Sequence, residues 1–241
     1  SNTTFPGNFE GSEVSLDESK AKVCELTNEN CDALRELFPF TKPKNHQGIE
    51  ITVGLGDRLG LASPGHIRLI KGLPVFPILA QQSIRELNLT SRTYPDVLAA
   101  ASWAVFQEGY TKGFGADGDH LKTAEEVQMA LDCGFTMITL DCSEHIDNPA
   151  AALSADEIAD RYQKLPQDIR AKLEGKYLGK TFDLKGVSLT FNQADFQKIV
   201  LVYLKAINYT IDLYNNLIKN YNRKIDFEMS IDETLTSTSP E

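Results

Sequence analysis

The sequence predicts an α/β protein of the (β/α)8, TIM-barrel type, with this chain covering about the first five β/α units of a truncated barrel. From residue 49 onward, short apolar, β-branched runs alternate with segments of helical hydrophobic period. Their order is β-α-β-α-β-α-β-α-β, and buried strands separated by amphipathic helices make a parallel sheet. A complete eightfold barrel runs to about 250 residues, whereas here five strands are spread over residues 49–232 of a chain of 241. The last strand is followed by loop and no closing helix, which favours the truncated barrel over the alternative, an open five-stranded doubly wound sheet.

Residues 1–48 are expected to form an N-terminal extension and linker: TFPGNFEGSEVSLDESK as loop, KVCELTNENCDALRELF as a short helix, TKPKNHQG as linker. Residues 49–241 are the N-terminal part of the barrel catalytic domain. IEITVGLG (49–56) is the first strand, β-branched and ended by glycine. SPGHIRLIKG (63–72) is a short helix with Ser63 as N-cap, Pro64 in the first turn and Gly72 as stop. LPVFPILA (73–80) is apolar throughout, a buried strand despite its prolines. TYPDVLAAASWAVFQEGY (93–110) is a helix, and GFGADGDH (113–120) a short strand weakened by glycine. TAEEVQMALDCG (123–134) is a helix, with Thr123 and Glu126 at capping-box spacing and Gly134 at its C-terminus. FTMITLD (135–141) is the fourth strand. Residues 143–192 break the rhythm with a helix at ADEIADRYQKL, a stretch rich in glycine and lysine, and a hairpin at KTFDLKGVSLTF. One long helix follows over 193–221, its stripe running from Phe196 through Ile199, Val200, Tyr203 and Leu204 to Tyr221. KIDFEMSID (224–232) is the fifth strand.

Net charge is −10, which argues against nucleic acid as the main partner, since phosphate neutralisation needs clustered Lys and Arg. A small anionic substrate needs only two or three local cations. No apolar run approaches the roughly 20 residues of a membrane span, and no secretory h-region is visible in the first residues. Cys24, Cys31, Cys133 and Cys142 make no CxxC pair, so reduced thiols and a cytoplasmic protein are expected.

In either architecture ligands bind at the carboxyl ends of the strands. Those ends read Gly56-Asp57-Arg58, then Ala80-Gln81-Gln82-Ser83 with Arg85 and Glu86, then Asp117-Gly118-Asp119-His120 with Lys122, then Asp141-Cys142-Ser143-Glu144-His145, then Ser230-Ile231-Asp232-Glu233-Thr234. One polar strand end is ordinary; five together indicate a polar pocket. His120 is a candidate ligand for a divalent cation, and Asp119 a candidate proton acceptor. Successive residues on a strand face opposite ways, so the pair shares a site only if the chain has already turned, which the flanking glycine permits. Arg58, Arg85 and Lys122 are candidates to hold a carboxylate, with Gln81 and Asp141 as further substrate contacts. Arg58 and Arg85 could equally be surface arginines paired with Glu86 or Asp57. His66 and His145 are weaker candidates and His46 the weakest.

The segments GLGDRLGLASPGHIRLIKG, AQQSIREL, GADGDHLKT, TLDCSEHIDN and FEMSIDETLTSTSPE resemble the tagaturonate/fructuronate epimerase family of bacterial hexuronate catabolism over most of residues 51–241. The resemblance implies a metal-dependent sugar-acid epimerase of TIM-barrel form, roughly twice this length, that interconverts D-tagaturonate and D-fructuronate. It implies Asp119 as proton acceptor, Glu233 as proton donor and His120 as ligand of a divalent cation (zinc, manganese, nickel or iron), with the other ligands elsewhere in the longer protein. Asp117 is then left to shape the turn. A metal-dependent aldolase or isomerase of another sugar acid would suit the same strand ends, as would a folded but catalytically incomplete fragment, and a homo-oligomer is compatible with all three.

Overall fold

Local capping chemistry starts most helices, and packing decides which strands pair. The protein, described from a computed structural model, has defined structure for residues 5–17, 19–46, 48, 51–232 and 234–235. Its elements fall into two compact units, one made of Ser1–Leu140 with Asn220–Glu228 and the other of Asp141–Lys219 with Met229–Glu241.

The first unit begins with a hairpin, β1 (Ser12–Leu16) and β2 (Ser19–Val23), paired antiparallel where loop was expected. Their largely exposed side chains leave little hydrophobic pattern to read. Helix α1 (Asn28–Leu37) follows, its first turn capped by the Thr27 hydroxyl. The βα rhythm then runs β3 (Ile51–Gly56), α2 (Ser63–Ile70), β4 (Val75–Gln81), α3 (Ile84–Thr90), α4 (Tyr94–Gln107), β5 (Gly115–Leu121), α5 (Ala124–Cys133) and β6 (Met137–Asp141). Helix α3 was not anticipated; seven residues are too few to display a period, although Ser83 and Glu86 form a reciprocal capping box. Thr93–Asp96 and Thr123–Glu126 make the same box for α4 and α5, and Gly134, at φ 102°, ends α5.

In the second unit, α6 (Ala155–Gln163) and α7 (Gln167–Tyr177) precede the expected hairpin, β7 (Thr181–Leu184) with β8 (Val187–Thr190). Helix α7, placed where only a glycine- and lysine-rich stretch was read, has no fully buried residue, and its short apolar stripe, with Leu173 and Tyr177 partly buried against the core, is narrow. The long helix α8 (Gln193–Leu213) ends earlier than its pattern suggested and passes into a π turn at Tyr214–Ile218. It packs Phe196 and Val200 against Tyr162, Leu189 and Phe191.

The last strand, β9 (Asp226–Ser230), completes a five-stranded sheet of order β3-β4-β5-β6-β9. The first three pairings are parallel. The Asp226 N–H donates to Thr136 O at 3.0 Å and the Cys142 N–H to Ser230 O at 3.2 Å, so β9 runs parallel to β6 as well. The sheet corrects the expectation of a (β/α)8 barrel: it is open, with β3 and β9 as its two edges among the described residues. Closing a barrel requires edge-to-edge pairing with matched tilt and shear around eight strands, and five strands in this order do not reach one another.

Within the first unit the sheet has a polar and an apolar face. Ala116, Ile138 and Leu140 are fully buried on one side. Gly118 shares that side, and a Cβ there would lie 3.1 Å from Ala130 Cβ, so α5 is seated against a strand that has no side chain at this point. Alternating with them, Asp117 and Thr139 face the other way.

Candidate active site

The polar face is built strand by strand. Asp117 stands in the middle of β5 and is fully buried. A buried carboxylate needs donors on every side, and its neighbours supply them. From β4, Gln81 Nε2 donates to Asp117 Oδ2 at 3.0 Å. From β6, Thr139 Oγ1 donates at 2.9 Å to Oδ2 and 3.1 Å to Oδ1. Burial pushes the Asp117 carboxyl up to about 6; the Gln81 and Thr139 hydrogen bonds work against that, and the charges of Asp119 and Glu228 add to it. Asp117 therefore lies inside the strand and does not shape a turn.

Gln81 reaches Asp117 because β3 leaves room. A Cβ on Gly54 would meet Gln81 Oε1 at 2.7 Å and Nε2 at 3.1 Å, closer than side chains approach. The backbone also changes direction here. Ala80, the penultimate residue of β4, has φ 58°, and His120, the penultimate residue of β5, has φ 53°. Each lies where the register of a pairing shifts, at Gly54/Gly56 against β4 and at Gly118/Leu121 against β6. Left-handed backbone in an L-residue is costly, and bulges of this kind re-aim side chains next to functional sites.

The bulge decides the Asp119–His120 pair. Adjacent residues on a regular strand point apart, yet Asp119 Oδ1 and His120 Nδ1 are 2.7 Å apart. The left-handed turn at His120, inside the strand, brings them together; Gly118 keeps an ordinary φ. Both side chains are partly exposed, 22% for Asp119 and 41% for His120. A carboxylate on one ring nitrogen orients an imidazole as the outer carboxylates of metal-binding histidines do. One imidazole is not a metal site, however. Among the described residues no group of three or more His, Cys, Asp or Glu side chains converges. The described residues therefore supply no complete ligand set, and His120 could provide one ligand of a divalent cation.

The cationic candidates converge on Glu86. Arg58 Nη1 lies 3.4 Å and Arg85 Nη2 3.2 Å from Glu86 Oε1, with both arginine side chains largely exposed. Burial works against ionisation of Glu86, but hydrogen bonds from Ser83 and Arg85 and the charge of Arg58 outweigh it, and its acidity is strengthened. Lys122 is exposed at the start of the turn into α5, where its N–H donates to Glu126 Oε2 at 2.7 Å. In the second unit Asp141 is buried and accepts from the Ser143 N–H at 2.9 Å. Beside it, the Asp232 N–H donates to Ser143 Oγ at 3.0 Å. Glu233 lies outside the described residues. Asp57, flanking Arg58, is a helix anchor: it accepts from the N–H groups of Leu61, Ala62 and Ser63 and from the Ser63 hydroxyl, all within 2.9 Å. His145 stacks on Tyr209 with ring centroids 3.9 Å apart, and His66 lies on α2.

Gly54, Thr139 and Glu228 were not singled out from sequence, and Asp117 was assigned only to a turn. Their one sequence signal is parity: Asp117 is two residues before Asp119, and Thr139 two before Asp141, so each shares a strand face with a candidate.

The sequence matches the family described as tagaturonate epimerase across residues 2–241. It is 41% identical over 217 residues to the tagaturonate/fructuronate epimerase of Thermotoga maritima, covering 90% of this chain and 44% of that protein. The glycerol-complexed crystal structure of fructuronate-tagaturonate epimerase from Cohnella laeviribosi superposes with a TM-score of 0.91 at 51% identity, over 96% of this chain and 46% of that one. The native crystal structure of the same Cohnella enzyme gives 0.89 at 50% identity over 95% of this chain. The chain thus spans about half the length of the relatives it matches.

Proposed function

Because this chain belongs to the tagaturonate epimerase family, we propose that it carries the proton-accepting part of an epimerase that interconverts D-tagaturonate and D-fructuronate. The observation that carries the reading is the bulge in β5, which puts Asp119 and His120 on one side and within 2.7 Å of each other. Asp119 takes a proton as one hydroxyl-bearing carbon of the keto-acid is inverted, and Glu233 is assigned the return of one. Arg58, Arg85 and Lys122 offer positive charge to the substrate carboxylate, with Asp141 as a further contact, while the Gln81 amide is engaged by Asp117. His120 contributes one donor to a divalent cation, zinc, manganese, nickel or iron, which when bound would polarise the substrate carbonyl.

The substrate is a small anionic sugar acid, and the cysteines, unpaired throughout, support a cytoplasmic setting. No helix among the described residues is long and apolar enough to cross a membrane.

The test is conversion of D-tagaturonate by the complete gene product, with and without chelator. Asp119→Asn is expected to lower kcat by roughly a hundredfold, the scale of general acid–base catalysis. His120→Gln is expected to lower metal content as well. Full activity in Asp119→Asn would show that the acid is structural. Turnover of a different sugar acid in its place would favour the aldolase or isomerase reading.

A further inference from the structure

Asp117 is not explained by stability. A carboxylate buried at the centre of a sheet and served by two neutral donors is more expensive than an apolar residue of the same size. Burial also weakens its acidity, so at neutral pH it opposes folding. Three neighbouring strands nevertheless each give up a polar side chain to the same layer: Gln81 from β4, Asp117 from β5, Thr139 from β6. A fourth strand gives up a side chain altogether, since Gly54 on β3 leaves the space that Gln81 occupies. The row flanks two left-handed residues, Gln81 directly following Ala80 and Asp117 standing three residues before His120, and each of the two needs its surroundings to hold it.

We propose that Gln81, Asp117 and Thr139, with Gly54 leaving space for Gln81, form a positioning ladder that holds the β5 bulge so that Asp119 and His120 leave the strand on the same side. The ladder acts through its strand and touches no reacting atom. Hydrogen bonds to Asp117 from both flanking strands fix the height of β5 between β4 and β6, two residues before the point where the register slips. Without them β5 can relax toward an even pleat, in which Asp119 and His120 would face opposite ways. The role in turnover rests on the epimerase reading above; the geometry does not.

The substitutions are chosen to leave packing nearly unchanged. Thr139→Val is close to isosteric and removes one donor, while Thr139→Ser keeps it. Gln81→Leu removes the other. Gly54→Ala leaves every ladder residue in place and pushes against the flexible end of Gln81, which can shift at little cost to the fold. In the complete gene product, ¹⁵N-histidine spectra at fixed pH, with the resonance identified by its loss in His120→Gln, report whether Nδ1 of His120 still shares a proton with Asp119. The expected result is loss of that signature in Thr139→Val, Gln81→Leu and Gly54→Ala and its retention in Thr139→Ser. In turnover, each of the first three lowers kcat about tenfold, the scale of a sub-ångström misplacement, with KM within about twofold. Gly54→Ala adds nothing further in the Gln81→Leu background, because both act on one side chain. A wild-type signature in Thr139→Val and Gln81→Leu overturns the ladder, as does full additivity of Gly54→Ala and Gln81→Leu. The signature needs no turnover, so an inactive wild type would sink the epimerase reading while the ladder is still decided.

Discussion

Two aspartates of the first unit show how surroundings, and not residue type, set the sign of a charge's contribution. Asp57 is buried, which raises its pKa, but three backbone N–H groups and the Ser63 hydroxyl lower it further than burial lifts it. Its folded-state acidity is thus stronger than in the unfolded chain. The stability it gives is present above the unfolded value of about 3.9 and is lost as pH falls through the lower folded value. Asp57→Ala is expected to cost about 2 kcal/mol at pH 7, the scale of a lost charged cap, and to reduce the loss of stability below pH 4; urea unfolding at pH 7 and pH 3 measures both. Asp117 has the opposite sign. Its pKa is raised to about 6, so its favourable contribution exists below about 3.9 and disappears as pH rises through about 6. Asp117→Asn should flatten that part of the stability profile and leave the protein more stable at pH 7 by an amount on the order of 1–2 kcal/mol. An unchanged slope between pH 4 and 6.5 in the variant would assign the titration to another group.

At the scale of the element, the carboxyl ends of β4 and β5 store backbone strain. In an ordinary strand, replacing a side chain by glycine costs roughly 0.5–1 kcal/mol relative to alanine. At φ 53° and 58° the order inverts, because only glycine enters the left-handed region without penalty. Chemical denaturation of His120→Gly and His120→Ala is expected to show the glycine variant more stable by about 1 kcal/mol, although both lose the Asp119 contact. Ala80→Gly is expected to be neutral or stabilising. If His120→Ala is the more stable, the bulge is not held in solution. Helix α3 teaches a related lesson. The S-x-x-E of its capping box stands in SIRE, and the same residues, Ser83 and Glu86, also read as the polar end of a strand. The hydrogen bonds of the box decide between the two readings.

At the scale of the whole molecule, β3 is an edge of an open sheet among the described residues. Ile51 is 68% exposed, and Leu61, Leu69 and Leu89 are each more than 70% exposed. Unpaired strand edges and exposed apolar side chains template association, and the net charge of −10 opposes it. Light scattering across a concentration series is expected to show this 241-residue chain associating. An Ile51→Lys, Leu61→Lys double variant should stay monomeric, and a wild-type chain monomeric at high concentration would show that this edge is shielded.

What the sequence determined by itself was local. Thr123, Glu126 and Gly134 mark α5 because caps bond to their own helix, and the alternation of apolar runs with helical periods establishes a parallel α/β sheet because burial on both faces demands it. It also reaches the family, through segments such as AQQSIREL and GADGDHLKT. Only the tertiary structure decided that the sheet is open, since edge pairing joins residues far apart in the chain. It alone decided which carboxylate of GADGDH is buried and which faces outward. The parity rule assigns Asp117 and Asp119 to one side and His120 to the other, and a bulge set by residues 36 and 22 positions away from Asp117 overrides it. Gly54 carries no sign of its purpose for the same reason: a missing side chain has meaning only beside the one that fills its place.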